Sequence, residues 1–165
     1  AFAQAAGVAD VIVTTGGASV GDHDLVRPAL VQAGATIDFW RIAVKPGKPL
    51  LAGTLGDAVV VGLPGNPVSA FVTATMFLMP LLRAMAGAAE PLPALLDARL
   101  AGALPATGGR AEYVRARLAD GGVAPLSTQD SAALPGLAEA TALIVRPPYA
   151  GPVLAGETVR FVPIG

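Results

Sequence analysis

The stretch KPGKPLLAGTLGDAVVVGLPGNPVSA, Lys45 to Ala70, decides how the rest of the chain is read. Two apolar runs of strand length, LLAGTL (Leu50 to Leu55) and AVVVGL (Ala58 to Leu63), flank a Gly56-Asp57 turn, which predicts a hairpin. PGNP (Pro64 to Pro67) then opens a helix, with Asn66 a natural N-cap and Pro67 a natural first helical residue. A long apolar helix is expected from there to about Ala86. Strands that feed glycine loops and helices make an α/β fold, in which ligands sit off the carboxyl ends of the strands.

Toward the N-terminus, DVIVTT (Asp10 to Thr15) is a short β-branched run before a glycine pair, and reads as a buried strand ending in a loop. GDHDLVRPALVQAGA (Gly21 to Ala35) reads as a helix, with Asp22 as N-cap, Leu25, Leu30 and Val31 on one face, and Gly34 as the stop. TIDFWRIAV (Thr36 to Val44) reads as one further strand. AFAQAAGVAD, at the start, is not a signal peptide and looks like a helix entered midway, so the chain is expected to be a piece of a longer protein.

Toward the C-terminus the texture changes. GAAEPLPALL (Gly87 to Leu96) is a linker by composition, and only short strand-length runs follow it. Val114, Ala116 and Leu118 alternate with Tyr113, Arg115 and Arg117, and Asp120-Gly121-Gly122 signals a hairpin. The expected organisation is an α/β unit over 1–87 and a β-rich unit over 88–165.

Composition narrows the chemistry. Formal net charge is -1, so nothing argues for nucleic acid or an acidic membrane surface as partner, and any anion site must be local. With no cysteine and a single histidine, His23, neither a thiol nucleophile, a thiolate metal site nor a Ser-His-Asp triad is expected. The lack of disulfides fits a reducing cytoplasm. No residue between Asp57 and Arg83 is charged, yet PGNP interrupts that stretch and the apolar part after it reads as too short for a bilayer of roughly 30 Å. A buried helix is the expectation.

Three glycine-rich loops fall at strand ends. In KPGKP (Lys45 to Pro49), Pro46 and Pro49 restrict the backbone and Gly47 permits a tight turn, so Lys45 and Lys48 are held close together. Two like charges a few ångströms apart repel by roughly 1 to 4 kcal/mol, and a dianion between them reverses the sign. The plain alternative is a solvated turn whose lysines serve solubility. In GLPGNPVSA (Gly62 to Ala70), Pro64, Gly65, Asn66, Pro67 and Ser69 frame a helix N-terminus, a ready anion hole; capping alone accounts for Asn66 and Pro67 but not for the glycines. In TTGGASVGDHD (Thr14 to Asp24), Thr14, Thr15, Gly16, Gly17 and Ser19 form a polar loop suited to a phosphate. Asp22 and Asp24 follow; they either favour the helix start or hold a hard cation such as Mg2+, which takes one or two carboxylates and fills its shell with water and substrate phosphate. His23 reads as a surface residue. Arg110, in TGGRAEYVR (Thr107 to Arg115), lies on a Gly-rich approach to a strand, from which an arginine could reach across the junction of the two units, and its planar donor fork suits oxyanions; the alternative is an exposed arginine.

Taken together and in order, TTGGASVGDHD, AVKPGKPLLAG and GLPGNPVSA strongly resemble the molybdopterin molybdenumtransferase family, whose eukaryotic members include the gephyrin E-domain. The resemblance covers nearly the whole chain. It implies a three-layer α/β molybdopterin-binding-like domain, incomplete at its N-terminal side, followed by a small all-β domain. It implies molybdenum cofactor biosynthesis in the cytoplasm: insertion of molybdate into adenylylated molybdopterin with release of AMP, assisted by Mg2+. On the matching positions, Asp24, Lys45 and Lys48 would be catalytic, Asp22 and Asp24 would hold the metal, and Ser69 and Arg110 would complete the oxyanion pocket. It also implies a homodimer and contacts with other molybdenum cofactor synthesis proteins. Two other readings stay open: nucleotidyl transfer of the molybdopterin adenylyltransferase kind, and a non-catalytic dimeric scaffold.

Overall fold

Turn chemistry and β-branched runs set the local structure, and the computed structural model describes residues 1–17, 25–119, 121–130 and 135–164. The chain opens with helix α1 (Phe2–Ala6), strand β1 (Val11–Thr15), α2 (Val26–Gln32), β2 (Thr36–Phe39), β3 (Val44–Lys45), β4 (Leu51–Leu55) and β5 (Ala58–Leu63). A 19-residue helical rod, Pro67–Met85, comes next as α3 (Pro67–Thr73), a π segment (Ala74–Leu78) and α4 (Met79–Met85). The remainder holds β6 (Leu96–Arg99), β7 (Ala111–Ala119), β8 (Gly122–Pro125), the one-turn α5 (Pro135–Ala138), β9 (Ala142–Arg146) and β10 (Thr158–Pro163).

The first sheet has the order β1-β5-β4-β2. β4 and β5 form the expected hairpin, closed at Leu55↔Ala58 with Gly56 in the left-handed region at φ +60°. β1 lies parallel to β5, so both strands end at the same edge. One face buries Ile12, Leu51, Leu55 and Val60 against Leu30 of α2 and Phe2 of α1. The guanidinium of Arg27 on α2 stacks 3.9 Å over the Trp40 ring. The other face packs Val61 and Leu63 against Ala70, Phe77 and Leu81 of the rod. Helix, sheet and helix thus make three layers, as expected.

The second sheet has the order β3-β7-β9-β10-β6, with β8 hairpinned onto β7. Its near face meets the opposite side of the rod, where Val72 and Met76 pack on Leu143, Val162 and Ile164. Its far face closes a second core around Val114, Ala116, Ile144, Val159 and Phe161. The rod is therefore clamped between two sheets.

Several expectations need correction. TIDFWRIAV is not one strand: β2 pairs with β4 in the first sheet, whereas β3 pairs in parallel with β7 in the second. The chain changes sheets at residues 40–43, because Val44 finds its ladder partner on β7 rather than on its neighbour in sequence. α2 starts at Val26 with Leu25 at the N-cap position, so the cap is not Asp22. Leu30 is fully buried, but Leu25 and Val31 are exposed. Thr14 and Thr15 end strand β1, as the strand reading of DVIVTT has it, so the polar loop expected to include them begins at Gly16. On β7, Arg115 is buried and Leu118 exposed, against the alternation. The rod is long and apolar enough to cross a membrane by length and composition, so length does not argue against a span. Its placement between two sheets does the arguing: Val68, Val72, Thr73 and Pro80 are buried while Phe71, Met79, Leu82 and Met85 are exposed. A helix buried throughout is not what forms.

Candidate functional site

Three loops meet at the edge where β1 and β5 end. The Gly16 N–H donates to the Leu63 carbonyl at 3.0 Å, which ties the glycine loop after β1 to the PGNP loop after β5. The two backbones nearly touch: a Cβ added to Gly65 would sit 3.2 Å from the Gly16 Cα. Gly16 and Gly17 both have left-handed φ, at +77° and +67°, so glycine is required on this side. β4 runs antiparallel to β5, with Leu51 opposite Gly62, which brings the KPGKP turn that precedes β4 to the same edge.

The turn then leans on the helix. Gly47 is buried at φ +112°, and a Cβ there would lie 2.4 Å from Thr73 Cγ2 and 3.6 Å from the Ser69 carbonyl oxygen. The turn is closed by the Ile42 N–H donating to the Lys48 carbonyl at 3.0 Å. Thus the backbone of the lysine turn at Gly47 meets α3 at Ser69 and Thr73, and Thr15, Gly16, Gly17, Pro64, Gly65, Asn66 and Pro67 share one sheet edge, whereas the Lys45 side chain turns to β7. Ser19, Asp22, His23 and Asp24 lie outside the described residues.

The helix start is only partly free for a ligand. Asn66 caps it, its side chain accepting from the Ser69 N–H at 3.2 Å, so that donor is used. Ser69 is buried in the first turn. Thr73 is fully buried and donates to the Ser69 carbonyl at 2.8 Å, which fixes the surface that Gly47 rests on. Pro67 has no N–H and the Ala70 N–H donates to the Asn66 carbonyl at 2.8 Å, so Val68 carries the one first-turn amide with no acceptor among the described residues, at the positive end of the helix.

Lys45 and Lys48 differ in their surroundings. Lys45 belongs to β3, and its Nζ pairs with Glu112 Oε1 at 3.2 Å. Lys48 is exposed, with no side-chain partner among the described residues. Arg110 is exposed and immediately precedes Ala111, whose N–H donates to Ala43 at 2.9 Å. Arg110 thus stands at the start of β7, next to the strand that carries Lys45.

Sequence reasoning missed Glu112, Thr73 and Arg146. The one signal for Glu112 was its place two residues after Arg110, at the start of the strand that Arg110 precedes. Thr73 gave a weaker one, four residues after Ser69 on the helix. A cavity of about 200 Å³ opens beside Lys45, lined also by Glu112, Tyr113, Gln129 and Arg146. Burial raises the Tyr113 hydroxyl above its ordinary pKa.

Comparison with known proteins bears on the whole arrangement. Residues 1–84 match the family described as "Probable molybdopterin binding domain", and residues 97–164 match the MoeA C-terminal region, domain IV. The molybdopterin molybdenumtransferase of Haemophilus influenzae is 46% identical over 87 residues, covering 53% of this chain and 21% of that protein. The cinnamon molybdenum cofactor synthesis protein of Drosophila melanogaster is 44% identical over 80 residues, covering 48% of this chain and 13% of that one. The chain therefore spans about a fifth or less of the length of these relatives. Among solved structures, the molybdopterin biosynthesis MoeA protein of Pyrococcus horikosii superposes with a TM-score of 0.79 at 26% identity, over 98% of this chain and 39% of that one. A molybdenum cofactor biosynthesis protein of Pyrococcus furiosus, at 21% identity and a TM-score of 0.76, shares the fold.

Proposed function

The chain belongs to the molybdopterin-binding-domain family, and from that premise we propose that it works in molybdenum cofactor biosynthesis as part of a molybdopterin molybdenumtransferase. Its substrates are then molybdate and adenylylated molybdopterin, and its products the metal-loaded pterin and AMP. The observation that carries this reading is the convergence of the lysine turn, the PGNP helix start and the TTGG loop at one sheet edge, with Gly47 seated on Ser69 and Thr73.

Each part has a task in that chemistry. Lys45 and Lys48 supply positive charge for a tetrahedral dianion, and the start of α3 adds its dipole. Leu63 and Val68, which flank the PGNP loop in sequence, are buried, and apolar surroundings of that kind lower the local dielectric and strengthen both. Arg110 approaches from the second sheet. The Gly16–Gly65 contact keeps the loops low enough for a phosphate-bearing ligand to reach the backbone amides. Asp24 remains the proposed catalytic carboxylate.

A divalent cation, Mg2+ in the first instance, is part of the proposal. Among the described residues no group of three or more His, Asp or Glu could hold a metal. A cation here would rest on Asp22 and Asp24 and on substrate phosphate, which suits the sparse protein ligation that Mg2+ accepts. It would supply charge neutralisation at the adenylate phosphate. A homodimer, contacts with other molybdenum cofactor synthesis proteins and a cytoplasmic setting complete the reading.

Tungstate, a heavy analogue of molybdate, tests it. We expect tungstate in crystals between the lysine turn and the start of α3, and loss of its binding in calorimetric titration of Lys45→Ala or Lys48→Ala. Absence of bound tungstate at millimolar concentration would overturn the oxyanion site. AMP release from adenylylated molybdopterin, measured on the longer protein with molybdate, separates enzyme from scaffold; release unchanged by Asp24→Asn would remove that carboxylate from the mechanism.

A further inference from the structure

Three charged residues lie in one row across the second sheet. Lys45 on β3 is in register with Glu112 on β7, and Glu112 is in register with Arg146 on β9. Side chains of registered partners stand on one face, so the row reads plus, minus, plus. The single carboxylate is committed to one side, with Lys45 Nζ at 3.2 Å from Glu112 Oε1. Arg146, on the other side, is only 3% exposed. Its Nη2 donates to the Pro105 carbonyl at 3.3 Å and to the Gly151 carbonyl, which fixes the guanidinium in place. Its Nη1 is buried and has no acceptor. An empty donor on a buried cation is costly, and the nearest carboxylate in register stands directly across the ladder. Lys45, Glu112 and Arg146 line the same cavity of about 200 Å³, which leaves room for a carboxylate to turn.

We propose that Glu112 is a transferable counter-ion: when an oxyanion takes Lys45, the Glu112 carboxylate leaves Nζ and accepts from Arg146 Nη1. The inference rests on the reading of Lys45 as an oxyanion ligand. A dianion that arrived with Glu112 still on Lys45 would share one ammonium group with a like charge at short range. Handover removes that repulsion and strands no charge, because the receiving donor is already buried, oriented and empty. Before the oxyanion arrives, the same carboxylate holds Lys45 in place. Glu112 and Arg146 are positioning residues on this account, acting on the anion through Lys45.

A tungstate soak of crystals of this chain reads the handover directly. With tungstate bound, a Glu112 Oε is expected within about 3.2 Å of Arg146 Nη1 and no longer on Lys45. In solution, Arg146→Met is expected to weaken tungstate about tenfold, since the displaced carboxylate has no receiver. In a Glu112→Gln background the same substitution is expected to change the Kd by less than about twofold. Additive losses, or tungstate bound with Glu112 still on Lys45, overturn the inference and leave the oxyanion site standing. Failure of tungstate to bind the unaltered chain overturns both. The soak needs no variant, so it decides the matter even where Arg146→Met does not fold.

Discussion

The first sheet buries no charged side chain among the described residues, whereas the second buries two, Arg115 at 1% exposure and Arg146 at 3%. Both sheets grip the same helical rod, yet they shape their loops by different means. The first uses close backbone approach: Gly65 on Gly16, and Gly47 on Thr73. The second uses guanidinium forks that gather carbonyls. Arg115 Nη2 donates to Thr128 at 3.0 Å and to Asp130 at 2.8 Å, while Gln129 bonds the backbone of Arg115 in both directions. Burial pulls the Arg115 pKa below its ordinary value, with the Asp130 charge opposing that shift. Glycine contacts leave amides and space for an anion; arginine clamps fill space and stiffen the loops they gather. An anion site needs the first kind on its floor and gains precision from the second kind beside it.

The largest test of that contrast is Gly47→Ala. The new Cβ would meet Thr73 Cγ2 at 2.4 Å in a backbone held at φ +112°. Overpacking and left-handed strain together predict a loss of about 3 kcal/mol, read by urea denaturation, with tungstate binding abolished. Adding Thr73→Ala should restore part of the stability, because it removes the clash but not the strain. A Gly47→Ala protein with unaltered stability would show that the lysine turn does not depend on the helix.

In the second sheet, Arg115→Met removes one clamp and with it the bonds to the Thr128 and Asp130 carbonyls. A loss of about 2 to 3 kcal/mol is expected, with tungstate affinity held within about threefold. A larger fall in affinity would show that the stiffness of the second sheet's loop is transmitted to the anion site. Gly65→Ala is milder, since the added Cβ would stand 3.2 Å from Gly16 Cα and needs no unusual φ. We expect about 1 to 2 kcal/mol and a selective loss of phosphate-bearing ligands over tungstate.

What could be read in the sequence was what local chemistry dictates. The hairpin over 50–63, the Asn66-Pro67 helix start and the order of the three loops depend on turn residues and strand length within a few positions of one another. The switch of sheets after Phe39 was not readable, because Trp40, Ile42 and Val44 look alike in either sheet and only the distant β7 selects Val44. Arg115 breaks its alternation for the same reason: the carbonyls that satisfy it belong to residues 128 and 130. The Lys45–Glu112 pair joins residues 67 apart in the chain, beyond any local pattern. In the site itself, the Gly-rich loops were legible as a set, whereas the counter-ion and the surface under Gly47 came from packing.

The smallest effect separates capping from anion binding at Asn66. Asn66→Ala removes the acceptor for the Ser69 N–H and should cost about 1 kcal/mol, the usual worth of an N-cap. Asn66→Asp keeps an equally good cap, so stability is expected within about 0.5 kcal/mol of the unaltered chain. The added negative charge, however, would sit at the helix end where an oxyanion is expected, and charge there is felt within the first turn. Tungstate affinity should therefore fall about three- to tenfold in Asn66→Asp, and recover in part at high salt because the site is partly exposed. Equal affinity in the two proteins would mean that the start of α3 serves only as a helix cap, and that the lysine turn binds its anion without it.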